Sequence, residues 1–167
     1  MKQRGLTLIE LLTGLALIAI IATLAAPSFT EFVDSQRRQD TAQQLSSGLR
    51  MARAEATLRR QPVIVQALEG KWSEGWHVFI DTNQNQLRDD DEPILAERSG
   101  YRNVRVVGNG RLIRRVGFDN TGRPLNNANG TLAVCMKDSP ISHYQIAIAV
   151  TGRVSLRSAG FSTEPCA

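Results

Sequence analysis

Arg4-Gly5-Leu6-Thr7-Leu8-Ile9-Glu10, continued without a break by Leu11-Leu12-Thr13-Gly14-Leu15-Ala16-Leu17-Ile18-Ala19-Ile20-Ile21-Ala22-Thr23-Leu24-Ala25-Ala26, decides how the rest of the chain is read. From Leu6 to Ala26 there are 21 residues and one charge, Glu10. As a helix this run spans about 32 Å, the thickness of one hydrocarbon core. Lys2 and Arg4 precede it, which favours a cytoplasmic N-terminus. A secretory signal peptide would have a longer basic region, a shorter apolar stretch and a small-residue cleavage site. Only Ala22-Thr23-Leu24-Ala25-Ala26 speaks for that reading. A plain membrane anchor explains the length but not the carboxylate of Glu10, which is costly in lipid unless paired or functional.

The segment Arg4 to Glu10 resembles the processing site of type IV prepilins and type II secretion pseudopilins. The resemblance implies that a prepilin peptidase cuts between Gly5 and Leu6 and that Leu6 is then N-methylated. Cleavage removes Lys2 and Arg4, lowering the formal charge from +4 to +2. Leu6 departs from the Phe most common at the first mature position. Glu10 is the fifth mature residue, where the family carries its Glu, and Thr7 lies beside it in the same assembly motif. Pro27 falls where many pilins have a helix-kinking proline. In a filament core Glu10 would be a buried anion, and the resemblance implies that it neutralises the new amine of a neighbouring subunit.

Beyond the apolar run, Ala42, Leu45, Leu49, Ala52 and Ala56 recur in steps of three and four, one face of a helix. Arg37, Arg38, Arg50, Arg53, Arg59 and Arg60 lie largely off that stripe and read as a solvated face. Pro27 is expected to bend or break the helix and Pro62 to end it. A helix from Leu6 to Leu58 would be about 80 Å long.

After Pro62 the pattern changes to short β-type runs. Candidate strands are Val63 to Leu68, Trp76 to Ile80, Val104 to Val107, Leu112 to Phe118, Thr131 to Met136, Tyr144 to Val150 and Val154 to Leu156. Turn residues separate them at Gly108-Asn109-Gly110, Asn120-Thr121-Gly122 and Thr151-Gly152. The expected fold class is α+β: a long N-terminal helix packed on an antiparallel β domain of about seven strands. The expected organisation is a leader over 1–5, a transmembrane or filament-core helix over 6–27, its amphipathic half over 28–60, and a β-rich domain over 61–167.

The stretch Gly75-Trp76-His77-Val78-Phe79-Ile80-Asp81-Thr82-Asn83, with Asp89-Asp90-Asp91-Glu92-Pro93-Ile94-Leu95 after it, resembles the GspH/FimT-type pilin domain. Within that family the chain is most similar to the FimU/FimT minor pilins of the type IV pilus, with the GspH pseudopilins as near neighbours. The resemblance implies a pilin fold and residence in the bacterial inner membrane with the C-terminal domain in the periplasm. The partners it implies are the prepilin peptidase, other minor pilins and the major pilin, with the pilus or its tip as the final location. Priming or capping a pilus is the leading expectation; a type II secretion pseudopilin and a DNA receptor for natural transformation are the alternatives.

Asp81, Asn83, Asn85, Asp89 and Glu92 have the 1, 3, 5, 9, 12 spacing of a calcium loop. Gln86 stands where that loop wants Gly, and a strand precedes it, so an acidic surface loop is expected instead. Cys135 and Cys166, the only cysteines, are expected to form a disulfide outside the cytoplasm. Gly152-Arg153-Val154-Ser155-Leu156-Arg157 is similar to a Gly-Arg-x-Arg signature of DNA-binding pilins, with Ser155 in place of the second Arg. Arg153 and Arg157 would share one strand face. Two phosphate contacts are a weak, salt-sensitive grip, so DNA is a partner the sequence does not favour. Arg111, Arg114, Arg115 and Arg123 would be needed to extend the patch.

Composition closes off other classes. Seventeen of the 20 basic residues are Arg, and aromatic residues make up 5%, thin for a platform that stacks bases. Two His exclude a His-based metal centre. His77 falls on an expected strand and His143 in an expected turn beside Ser142. No nucleophile–base pair and no cofactor motif is visible, so the chain reads as no enzyme and as itself the substrate of one.

Overall fold

The computed structural model describes residues 7–136, 142–161 and 166, with the backbone alone at 24–27 and 159–161. The Gly5–Leu6 junction lies outside the described residues. The chain divides into two units, Met1–Ser35 and Gln36–Ala167.

One helix, α1, runs Leu8–Arg59. In the first unit its large apolar residues stand in the open: Leu8, Ile9, Leu11, Leu12, Leu15, Leu17, Ile18, Ile20 and Ile21 are each more than half exposed. A helix apolar on every side has no single face to bury and needs lipid or other helices around it. Pro27 does not end the helix; the backbone stays helical through it. Among the described residues no single helix is long and apolar enough to cross a membrane, but Leu8–Thr23 and Ser28–Arg59 together qualify as a bent pair.

In the second unit the helix turns amphipathic. Ala42, Leu45, Leu49, Ala52 and Ala56 are all fully buried, the stripe that the sequence spacing requires. Their small size lets the strands come close, and Gly48 sits where a Cβ would lie 3.2 Å from Nε1 of Trp76. The helix ends at Arg60, which takes a left-handed φ of 56° ahead of Pro62. A glycine is the usual residue at that closing position.

Eight strands follow among the described residues. They are β1 (Val63–Ala67), β2 (Gly75–Ile80), β3 (Ile94–Ser99), β4 (Val104–Gly108), β5 (Arg115–Phe118), β6 (Gly130–Met136), β7 (Ser142–Ile148) and β8 (Val154–Phe161). All pairings are antiparallel, in two four-stranded sheets ordered β3-β2-β1-β5 and β4-β6-β7-β8. Val65 faces Val78 on one side and Val116 on the other, and Ile146 bridges Leu132 and Leu156 in the second sheet. These inward residues join the helix stripe in one core, with Trp72 tied in through its Nε1–H to the Leu112 carbonyl at 2.8 Å.

The sequence pattern predicts seven strands, and the eighth is β3. Ile-Leu-Ala-Glu-Arg-Ser has no alternating apolar pattern and weak strand propensity. It is a strand because β2 presents an open edge to it, with a register shift at Val78/Phe79. The expected strand from Leu112 begins only at Arg115, since Leu112 closes a short 3-10 turn and is fully buried there. His143 lies in β7 rather than in a turn. Cys135 of β6 is bonded to Cys166, both buried, with Cα atoms 6.1 Å apart. Arg105 donates from Nη1 to the Cys166 carbonyl at 2.8 Å, a second tie on that residue.

Two stability outcomes follow from this frame. Replacing Arg60 by Gly relieves a left-handed side chain and is expected to raise stability by about 0.5–1 kcal/mol in urea titration of the detergent-solubilised chain. No gain would mean that the helix ends without strain there. The pair Cys135→Ala with Cys166→Ala opens a loop of 31 residues and is expected to cost about 3–4 kcal/mol. A melting temperature equal to the wild type's would show that the bridge adds nothing.

Candidate functional site

Three places carry chemistry the fold does not need for packing. The first is the start of α1. Thr7 donates its backbone N–H to Oε2 of Glu10 at 2.9 Å and its hydroxyl to the same oxygen at 2.7 Å. The Glu10 N–H points back to Oγ1 of Thr7 at 3.4 Å. This reciprocal pair is a capping box: the helix end and the acidic side chain satisfy each other. Thr-x-x-Glu at the head of an apolar run is its sequence signature, and Thr7 and Glu10 carry it in plain view.

The second place is the loop between β2 and β3. Asp81 is fully buried. Its Oδ1 accepts the N–H of Asn85 and its Oδ2 that of Gln86, each at 3.0 Å. Glu92, also buried, accepts from the Thr82 N–H at 2.8 Å and the Asp89 N–H at 3.2 Å. Asn83 and Asn85 both donate side-chain N–H to Oδ2 of Asp89 at 2.7 Å. The five residues of the calcium spacing therefore do meet, but as a self-satisfied knot. Their donors and acceptors are spent on each other and on the backbone. No cluster of three or more His, Cys, Asp or Glu among the described residues is disposed to hold a metal ion. Gln86 takes a φ of 61° without being Gly, braced by Arg115, which donates to its carbonyl, and by Asn126, which donates to its Oε1 at 3.1 Å. What the knot leaves outside is Asp90 and Asp91, both exposed.

The third place is a cleft of about 410 Å³ beside α1, lined by Arg50, Arg53, Ala54, Thr57, Arg153 and Val154. Arg53 donates from Nε to the Gly122 carbonyl at 3.0 Å, which aims its head. Gly152 has a φ of 80°, and a Cβ there would lie 1.9 Å from the same carbonyl. Only glycine lets the two turns meet so closely, and the meeting sets Arg153 opposite the helix arginines. Arg157 is exposed on β8 across from Gln145 and does not line the cleft. Arg111 and Arg115 line another cavity with Gln86 and Asn126. The arginines therefore do not form one patch, and the grouping that exists includes Arg50 and Arg53, which the sequence placed on a solvated face.

His77 packs edge-on against Phe79, with ring centroids 5.4 Å apart. Burial pulls its pKa below the ordinary histidine value. Burial, aided by the Arg38 charge, does the same for His143. Ser142 is fully buried and gives its hydroxyl proton to the Tyr144 carbonyl at 2.8 Å. The Ser142 hydroxyl is thus spent on the backbone, beside a register shift between Ser142 and Tyr144.

Burial holds the Asp81 carboxyl above the ordinary aspartate range; the Gln86 N–H works against this and the Glu92 charge adds to it. The folded chain thus takes up this proton at a higher pH than the unfolded chain. Asp81 then contributes stability as pH falls through its folded pKa, in full below the unfolded value of about 3.9, and loses it as pH rises. The wild type's advantage over Asp81→Asn in urea midpoints is expected to grow from pH 7 to pH 3. A difference that stays flat with pH would sink this assignment.

A family model described as Type II transport protein GspH matches residues 41–152, and one described as Prokaryotic N-terminal methylation motif matches residues 1–26. Type II secretion system protein H of Escherichia coli (strain K12) is 38% identical over 72 residues, 42% of this chain and 43% of that protein. The match thus spans less than half of that relative's length. Pilin-like protein PilA1 of Thermus thermophilus is 29% identical over 143 residues, 80% of this chain and 87% of that protein. The crystal structure of the type IV minor pilin FimU of Pseudomonas aeruginosa (strain PAO1) superposes with a TM-score of 0.63 at 19% identity. It covers 79% of this chain and 98% of that one. The minor pseudopilin EpsH of the Vibrio cholerae type 2 secretion system gives 0.53 at 13%, with 73% and 97% covered. Both structures share the fold of a long N-terminal helix on antiparallel sheets. With its methylation motif ahead of a domain matched over two thirds of the sequence, the chain belongs to the GspH family of type II transport proteins, a family of pilins and pseudopilins.

Proposed function

We propose that this chain is a minor pilin that is cut between Gly5 and Leu6 by prepilin peptidase and joins other minor pilins and a major pilin to prime or cap a type IV pilus. Residues 6–27 hold it in the inner membrane before assembly and in the filament core afterwards. Residues 28–60 carry the head, 61–167, on the periplasmic side. The observation that carries this reading is the Thr7–Glu10 capping box on an exposed apolar helix. In the lone chain two local donors satisfy the carboxylate, so it can wait in the membrane without a partner. In an assembly the charged amine of a neighbouring Leu6 offers the same oxygens a stronger bond.

A second reading, a minor pseudopilin of type II secretion, is favoured by the 38% identity to the Escherichia coli protein H segment. The physics of helix and Glu10 is common to both. The two readings separate in a deletion strain assayed side by side for surface pili and for secreted protein. Wild type is expected to restore pili and Glu10→Ala to fail, with secretion unaffected throughout. Lost secretion with normal pili moves the chain to the secretion apparatus, and two normal phenotypes overturn assembly altogether.

A further inference from the structure

The arginine-lined cleft is not explained by the packing of the fold. Three arginines are among the residues lining it, and no Asp or Glu is. Asp119, in the same turn as Gly122, is turned inward: its Oδ1 accepts from the Thr121 N–H at 2.8 Å, the Thr121 hydroxyl at 2.7 Å and the Arg123 N–H at 3.0 Å. Like charges gathered around one concavity repel each other unless an anion enters it. The geometry is set in advance, because the Gly122 carbonyl aims Arg53 and the close contact of Gly122 with Gly152 sets Arg153. The fork of an arginine matches a carboxylate with two parallel hydrogen bonds.

The same chain displays the complementary group. In the β2–β3 loop Asp81, Asp89 and Glu92 are consumed by internal hydrogen bonds, and these anchors leave Asp90 and Asp91 exposed. Neither makes a hydrogen bond or ion pair among the described residues. A rigid base thus presents two unpaired carboxylates in sequence. We propose that Arg50, Arg53 and Arg153 form a carboxylate-binding cleft that receives the Asp90–Asp91 loop of a second copy of this chain. Cleft and loop are different surfaces, so the contact is head-to-tail. Such a contact leaves one cleft and one loop unfilled at the ends and extends the assembly instead of closing it. The proposal rests on the reading of the chain as an assembly subunit, but it is measured without a pilus or a secretion assay, so the two fail separately.

The test is sedimentation equilibrium of the full chain in detergent micelles, across a range of salt. Wild type is expected to self-associate at low salt and to dissociate as salt rises. Arg50→Glu with Arg153→Glu gives a chain with an acidic cleft and an acidic loop. Asp90→Lys with Asp91→Lys gives one with a basic cleft and a basic loop. Arg53 is left intact because it braces the turn at Gly122. Each variant alone is expected to associate about tenfold more weakly, since like charges then meet. Mixed in equal amounts, the two are expected to recover wild-type association, because each cleft again finds an opposite loop. Circular dichroism and melting temperature confirm that both variants fold. A monomeric wild type at every salt, variants that associate like the wild type, or a mixture that stays weak would each overturn the proposal. So would unchanged self-association together with binding of a DNA oligonucleotide that only the arginine variant loses; the cleft would then be a nucleic-acid site.

Discussion

Everything in the second unit hangs on one helix face. Ala42, Leu45, Leu49, Ala52 and Ala56 are removed from water by two sheets that share no strand and are joined through that face. Four-stranded antiparallel sheets with one apolar side each need a cover. The helix covers both, and its small residues keep the layers close enough for the inward valines and isoleucines to touch. A bulky residue at Gly48 would push against Trp76, and a polar one at Leu45 or Leu49 would leave an unpaired group among fully buried neighbours. The first unit has no such cover among its own residues. The same element thus follows two patterns in succession, with large apolar residues exposed up to Phe32 and a one-sided buried stripe from Ala42 on.

Much of this is written in periodicity, which is a local property. The helix stripe and the described strands other than β3 follow from spacing and residue type, and the cysteine pairing from there being only two cysteines in a domain read as lying outside the cytoplasm. β3 does not, because its residues Ile94 to Ser99 lack an alternating pattern and become a strand only when the open edge of β2 is present. The start of β5 shifts because Leu112 is drawn into the core by a short turn, a demand of packing and not of propensity. The calcium-like spacing of Asp81 to Glu92 correctly brings five polar residues together. It cannot say that the asparagine amides turn toward Asp89 and fill the centre with hydrogen-bond donors. The cleft is the least legible feature. Arg53 and Arg153 stand far apart in the chain, and they meet through two glycines whose left-handed turns nest against each other. Taken one at a time, the arginines are ordinary surface residues.

The β2–β3 loop and the Leu125–Asn127 turn beside it show how such a fold tolerates strain. Gln84, Gln86, Asn126 and Asn127 all hold positive φ angles without being glycine. They are not scattered, since Asn126 and Gln86 bond to each other and Arg111 and Arg115 donate to the carbonyls of Asn126 and Gln86. Positive φ costs energy at each, and at Gln86 and Asn126 these hydrogen bonds hold it. A loop fixed in this way presents the same outward face every time.

The capping box has a consequence for the charge that the proposed processing would create. Thr7 is the N-cap, so the amine that the proposed cut would free, on Leu6, lies one residue before it in the chain. Unsatisfied N–H groups give that end of a helix a partial positive charge, and a cation placed there is disfavoured by up to about 1 kcal/mol. The chain's own carboxylate is already engaged at that end, its Oε2 accepting both Thr7 donors. A subunit cut as proposed would therefore carry at its tip a charge that the helix end itself does not favour. Under the proposed processing, removing five residues would do more than trim a leader: it would give each helix a cation that the acid of another chain can neutralise.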